Sequence, residues 1–374
     1  RKYHGLEDCE KYLNACVSAS ETFMNESGYT LYKSGSTPYR DLFASINLQA
    51  DEVIFGRDYE ASLSVLHNVQ NYENSTTMGR PGMNKKIVNS YLMADGSRFT
   101  DKAGYETMTF DQECQNRDPR LAQTIRTPGY TRIGSTKKEA PNLAYTMTGY
   151  HLIKYSMTAN YDEYNKSCND IPLFRTAEVY LNFAEAKAEL GTLTQNDLDI
   201  SINKLRARAK MPDLDMNEAN ATPDPLMQEY YPNVTQSTNT GVILEIRRER
   251  TIELTMEGFR LWDIFRWKEG QQLTKPFYGC YFPSEGEYDM DANGTNDLLL
   301  YTEDKGNFKG TVKKLGKDLI LTNVTSGNIH ALDKIKVTWD ENRDYLWPIP
   351  ASERVVTGGK LTQNPGWTDS TNFD

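Results

Sequence analysis

Segment 289–300, DMDANGTNDLLL, places oxygen-bearing side chains at alternate positions. Asp289, Asp291, Asn293 and Asp297 can each turn an oxygen inward, Gly294 permits a tight turn, and Thr295 can offer its carbonyl. Such a donor set suits a hard cation, because calcium takes six to eight oxygens, which four side chains, one carbonyl and water supply. The twelfth position is Leu300 in place of the bidentate Glu of an EF-hand loop. The apolar residues after Asp297 instead resemble the strand-following calcium loops of propeller blades. The expectation is a structural calcium that pins a loop; the alternative is an acidic turn held by its own Asx hydrogen bonds.

The densest run of charge is 243–270, ILEIRRERTIELTMEGFRLWDIFRWKEG. Opposite charges fall three apart at Glu245/Arg248, Arg250/Glu253 and Glu257/Arg260, a spacing that pairs them on a helix. Carboxylates among so many arginines stay ionised and make poor general acids, so the run predicts a salt-bridged scaffold rather than a catalytic helix. Hydrolysis needs two carboxylates facing across a sugar, or a nucleophile with its base. The sequence has neither GxSxG nor HExxH, and its histidines, at 4, 67, 151 and 330, are scattered. The clusters Asp111/Glu113/Asp118 and Asp162/Glu163 are explained equally well by surface solvation. The five cysteines, at 9, 16, 114, 168 and 280, form no CxxC pair and predict buried free thiols in a helical core.

Apolar periodicity predicts helices over 6–25, 175–190 (ended by Gly191) and 197–210 (ended by Pro212). In the charged run it predicts two more, meeting at Gly258, with Gly270 as the stop and Trp262 and Trp267 in the core. The pair 175–190 and 197–210 resembles one tetratricopeptide unit, which cannot bury its own face; 6–25 and 243–268 are the expected partners. Segments 68–86, 126–148 and 219–240 read as loops or connectors. Short strands are expected at 52–55, 297–302, 319–322, 334–337 and 345–349. The fold class is therefore mainly α: a tetratricopeptide-like helical frame with long loop insertions and a few short strands. It forms one body over 1–374, with 1–25 and 171–270 as scaffold and 26–170 and 271–374 as loop-rich, ligand-facing segments.

The chain has 374 residues, 38% hydrophobic, with a formal charge of −10. That sign argues against nucleic acid as a partner. No run approaches the ~20 apolar residues of a membrane helix. Tyrosines number 23 against 13 phenylalanines, a bias toward wet amphipathic surfaces such as those that take sugars. Aromatics in the irregular loops, with polar neighbours, make Tyr72, Arg80, Tyr130 and Tyr161 the candidate carbohydrate-binding residues.

RRERTIELTMEGFRLWDIFRW resembles the hallmark of the SusD/RagB family of outer-membrane nutrient-binding lipoproteins. YRDLF with DEVIFGRDYE, NRDPRL, IPLFRTAEVYLNFAEAKAELG with INKLRARAKMP, and YLWPIPASE with LTQNPGW agree in type and order across nearly the whole chain. The resemblance implies non-catalytic capture of an oligosaccharide at the cell surface for a SusC-like, TonB-dependent outer-membrane barrel. Peptide capture, as in RagB-like members, is the alternative, and a glycoside hydrolase a third. It also implies a signal peptide and a lipid anchor preceding these residues, so the chain is expected to be the C-terminal two-thirds of a longer precursor.

Overall fold

A computed structural model describes residues 2–234, 236–358 and 360–368. The frame is built from α1 (Cys9–Glu26), α2 (Thr176–Leu190), α3 (Gln195–Asp199), α4 (Ile202–Arg208), α5 (Thr240–Glu253) and α6 (Arg260–Arg266). α2 packs against α1 on one side and α5 on the other. It ends at Gly191, whose φ of 73° lies in the left-handed region. Alanines 177, 184 and 188 are buried along α2 and let its neighbours approach closely. Leu198, Ile202 and Leu205 from α3 and α4 join Leu181, Leu244, Ile246 and Trp267 in a first core. The fold is mainly α, as the periodicity predicts.

Strands are short and dispersed. β1 (Val53–Arg57) pairs antiparallel with β2 (Ile171–Arg175). β3 (Tyr278–Phe282) pairs antiparallel with β7 (Gly327–His330). β4 (Gly286–Tyr288) pairs antiparallel with β5 (Leu298–Tyr301), which runs parallel to β6 (Thr311–Lys314). A second core lies under the loops, where Val88, Ile125, Tyr150, Phe282, Leu298 and Ile329 meet Ile252 of α5. α5 is thus the wall between two cores, and all 14 of its residues are buried.

That burial forces its charges to find partners from elsewhere in the chain. Glu253 accepts hydrogen bonds from Arg208, from Arg175 (2.7 Å) and from Arg120 (3.1 Å). Arg175 and Arg208 also hold Glu52, each at 2.8 Å. Arg175 and Lys154 hold Glu257, each at 2.7 Å. Glu249 takes Arg120 and Arg206, and Arg120 also pairs with Asp118 at 2.7 Å. Arg248 pairs with Glu245 and Asp224. Burial alone would raise the Glu253 carboxyl, but the guanidiniums of Arg208, Arg175 and Arg120 hold it well below the ordinary range. Glu185, buried yet bound by Arg266 and by the Trp267 indole N–H, is likewise pulled down to about 2.

Several expectations need correction. Of the three pairs expected within the charged run, only Glu245/Arg248 forms; Arg250 instead meets Asp263 (2.9 Å) and Asn182 (2.8 Å). Glu253 is taken by Arg208, Arg175 and Arg120, and Glu257 and Arg260 straddle the Gly258 bend, so neither keeps its three-apart partner. The helix expected over 197–210 breaks at Ser201, whose hydroxyl donates to the Asp197 carbonyl and competes for it with the backbone. Lys268, at φ 59°, takes the left-handed turn expected of Gly270, and Gly258 (φ 85°) makes the bend as expected. The connector 219–240 contains the end of helix Met216–Ala221 and all of Pro225–Tyr230, the latter capped by Asp224 with Pro225 in its first turn. The loop 68–86 contains helix Val69–Glu73. No strand forms at 334–337 or 345–349, where Ile335, Val337, Leu346 and Trp347 are exposed and have no face to bury; 319–322 makes only isolated bridges. Trp267 is core, but Trp262 is 60% exposed. Glu113 and Asp118 are buried and paired, not solvated. All five cysteines are free, but only Cys168 and Cys280 are buried, and neither lies on a helix.

Both Glu253 and Glu185 have folded-state pKa values below the ordinary 4.5. Their stabilisation is therefore complete above pH 4.5 and is lost as pH falls toward 2. The melting temperature followed by circular dichroism should drop steeply across that window. Glu253→Gln should cost about 3 kcal/mol at neutral pH, by stranding guanidiniums, and should flatten the acid dependence.

Candidate functional site

The 289–297 loop joins β4 to β5 as a hairpin connection. Asp289, Asp291 and Asp297 each bring one carboxylate oxygen within 4.8 Å of the others. Asp289 accepts the backbone N–H of Gly294 at 2.7 Å, and Asp297 that of Met290 at 3.0 Å. Asn293 turns its amide oxygen to the Thr295 N–H at 2.7 Å. Burial and repulsion from Asp291 and Asp289 raise the Asp297 carboxyl. The loop is stitched to segment 126–148 by Gly129 N–H on the Asp291 carbonyl (2.9 Å) and Lys138 Nζ on the Ala292 carbonyl (2.8 Å).

The four loop residues expected to bind sugar have different settings. Tyr130 is only 6% exposed; its ring lies between the guanidiniums of Arg40 and Arg126, 5.2 and 5.4 Å from its centroid. Its hydroxyl accepts from Arg40 at 3.2 Å. It holds the loop together and presents no ring face to a ligand. Arg80 is half-buried at φ 51°, and its carbonyl accepts from Met147 N–H. Tyr72 is 49% exposed on helix Val69–Glu73, and Tyr161 is half-buried. Beneath them, Arg126 and Arg132 converge on the Asn74 amide oxygen at 2.7 and 3.1 Å, and Arg132 pairs with Asp162 at 2.9 Å. Glu73, pushed up to about 7 by burial, is held by Ser156 (2.6 Å) and the Tyr155 N–H.

A different surface has the shape of a binding site. An open cleft of about 500 Å³ is lined by Tyr105, Tyr230, Tyr278 and Tyr281, by Asn84, Asn89, Asn323 and Asn328, and by Lys86 and Lys275. Tyr278 and Tyr281 reach it together because β3 carries a bulge. Tyr278 pairs with His330, whereas Tyr281 pairs with Asn328, so three steps on β3 oppose two on β7. Without that extra residue the two tyrosines would point to opposite faces, since side chains alternate along a strand. Cys280 and Phe282 face the core. Gly279 brings β3 onto the Thr148 backbone, whose carbonyl accepts from Cys280 N–H at 2.8 Å; a Cβ on Gly279 would overlap that carbonyl. The Asn89 and Asn328 amide oxygens have no hydrogen-bond donor among the described residues. Flat phenol faces beside asparagine side chains match the two halves of a sugar, its apolar ring face and its hydroxyls. The sequence signal was the pair Tyr278 and Tyr281 in YGCYF, in which strand alternation hides their shared face.

The molecule is thus a tetratricopeptide-like helical frame that carries a loop-built body with an open polar cleft. Residues 42–367 match the model of the SusD family, and the chain belongs to that family. No curated protein matches the sequence. A SusD-like protein from Bacteroides fragilis aligns over 96% of this chain and 62% of its own, with a TM-score of 0.61 and 21% identity. A SusD-like carbohydrate binding protein from the same organism aligns over 93% and 61%, with a TM-score of 0.60 and 22% identity. The chain thus spans about three-fifths of the length of these relatives. No helix among the described residues is long and apolar enough to cross a membrane.

Gly279→Ala should force β3 away from Thr148 and disturb the tyrosine wall. A loss of about 1–3 kcal/mol in urea denaturation is expected, in the range of core overpacking.

Proposed function

We propose that the protein captures an oligosaccharide at the cell surface without cleaving it and delivers it to a SusC-like, TonB-dependent outer-membrane barrel. A lipid anchor outside these residues would hold it at the outer membrane. The observation that carries this reading is the cleft of paired tyrosines and asparagines, and family membership supports it. In the charged run Glu253, held by arginines, and Glu257, held by Arg175 and Lys154, are kept ionised, which leaves them poor proton donors. Tyr278 and Tyr281 are the principal stacking residues in this reading; Tyr72, Arg80 and Tyr161 would make outlying contacts. Calcium would occupy the 289–297 loop on Asp289, Asp291, Asn293, Asp297 and the Thr295 carbonyl, and would pin the hairpin to the Tyr130 loop.

A glycan array on the protein should return a hit that is bound and recovered intact. Tyr278→Ala or Tyr281→Ala should then weaken it by about 1–3 kcal/mol in calorimetric titration. Recovery of shortened products would mean hydrolysis, and binding of peptides with no glycan would favour the RagB-like alternative. For the metal, calcium should raise the melting temperature and EDTA reverse it, with Asp291→Ala abolishing the difference; a melt indifferent to both would remove calcium from the account.

A further inference from the structure

The cleft's charge is as specific as its aromatics. Lys86 is half-buried in the wall, with its Nζ 4.0 Å from the Tyr230 ring centroid and donating to the Gln272 amide oxygen. Among the described residues no carboxylate lies within ion-pair distance of it, nor of the exposed Lys275 that shares the cleft. Arg260, close by, spends its donors on the hydroxyls of Tyr231 and Thr251 rather than on an acid. Lys85 beside it behaves differently: it is buried and pairs with the buried Glu113 at 3.3 Å. The two carboxylates in the lining, Glu106 and Glu229, are both exposed, so water screens them more than it screens Lys86. The Lys86 pKa is pushed down to about 7 by burial first, with Arg260 and Lys275 adding to the shift and Glu229 and Glu269 opposing it. A half-buried ammonium with no carboxylate in ion-pair reach gains from a bound anion.

The geometry points to an anionic sugar unit, bearing a carboxylate or a sulfate ester, as the ligand of this cleft: Lys86 and Lys275 take its charge while Tyr278 and Tyr281 take its ring. This rests on the glycan-capture reading and narrows it to a class of sugar. An ammonium-to-anion hydrogen bond is worth more than one to a hydroxyl, which is how such a site would select against neutral chains.

The test titrates the protein, at about pH 6 so that Lys86 is charged, with three ligands of matched length: neutral galacto-oligosaccharides, oligogalacturonides and sulfated galactan oligosaccharides. At least one anionic ligand should bind ten-fold or more tightly than the neutral one, and which of the two does so separates carboxylate from sulfate. Lys86→Met should remove that advantage, a loss of about ten- to hundred-fold in anionic binding that brings the anionic and neutral affinities together. Lys275→Met, at an exposed position, should reduce it without affecting the fold, which covers the case in which Lys86→Met disturbs Tyr230. Added sodium chloride should weaken only the anionic arm. Neutral binding equal to anionic binding, or an anionic advantage that survives both substitutions, overturns the charge assignment while leaving glycan capture standing. Binding of none of the three, by a protein that does bind some other neutral glycan on the array, overturns the assignment too; silence across the whole array overturns both.

Discussion

The carboxylate of Glu253 is out of water, and its two oxygens take hydrogen bonds from guanidiniums on three separate segments, at residues 120, 175 and 208. Isolated in a protein interior, any one of these charges would cost several kcal/mol, so none of the segments can settle alone. Arg175 must also meet Glu52 and Glu257, Arg208 must meet Glu52, and Arg120 must meet Asp118 and Glu249. The constraint is collective. Satisfying Glu253 fixes β2, α4 and the 118–120 turn against α5, and with them the two cores on either side.

The tyrosine-lined cleft inherits its geometry from that arrangement. Ile252 of α5 carries the second core, on which Phe282 and Ile329 seat β3 and β7. Lys85, next to the cleft, is anchored below by Glu113, which also accepts from the Tyr150 hydroxyl at 3.1 Å. What faces solvent is therefore set by what is buried: Cys280 and Phe282 point down, and a single bulge turns Tyr278 and Tyr281 up. Rigid walls of this kind suit a binder, since little ordering entropy remains to be lost when a ligand arrives.

The frame was legible in the sequence where one side chain decides one local outcome. Gly191 stops α2, Gly258 bends the charged run, and the alanines of α2 mark a close helix contact. The membership of the family was legible too, through segments such as NRDPRL that the structure explains: Asp118 caps the helical turn that starts at Pro119 and grips Arg120. Legibility failed where an outcome depends on distant residues. Three-residue spacing gave Arg250 the wrong partner because Asp263 lies on α6, beyond a bend. Tyr130 looked like a sugar platform because nothing in its neighbourhood announces Arg40, 90 residues away. The shared face of Tyr278 and Tyr281 was hidden because a bulge is a property of two paired strands, and β7 lies some fifty residues downstream.

The charged partners also have an order along the chain. Every basic residue that holds Glu249, Glu253 or Glu257 precedes them: Arg120, Lys154, Arg175, Arg206 and Arg208 are all made before residue 249. As the polypeptide emerges from the ribosome, those five cations have no counterpart for burial beyond Asp118 and Glu52, and hydration holds them at the surface of whatever has collapsed. Closure of these ion pairs must wait for Glu249, Glu253 and Glu257, which come later in the chain.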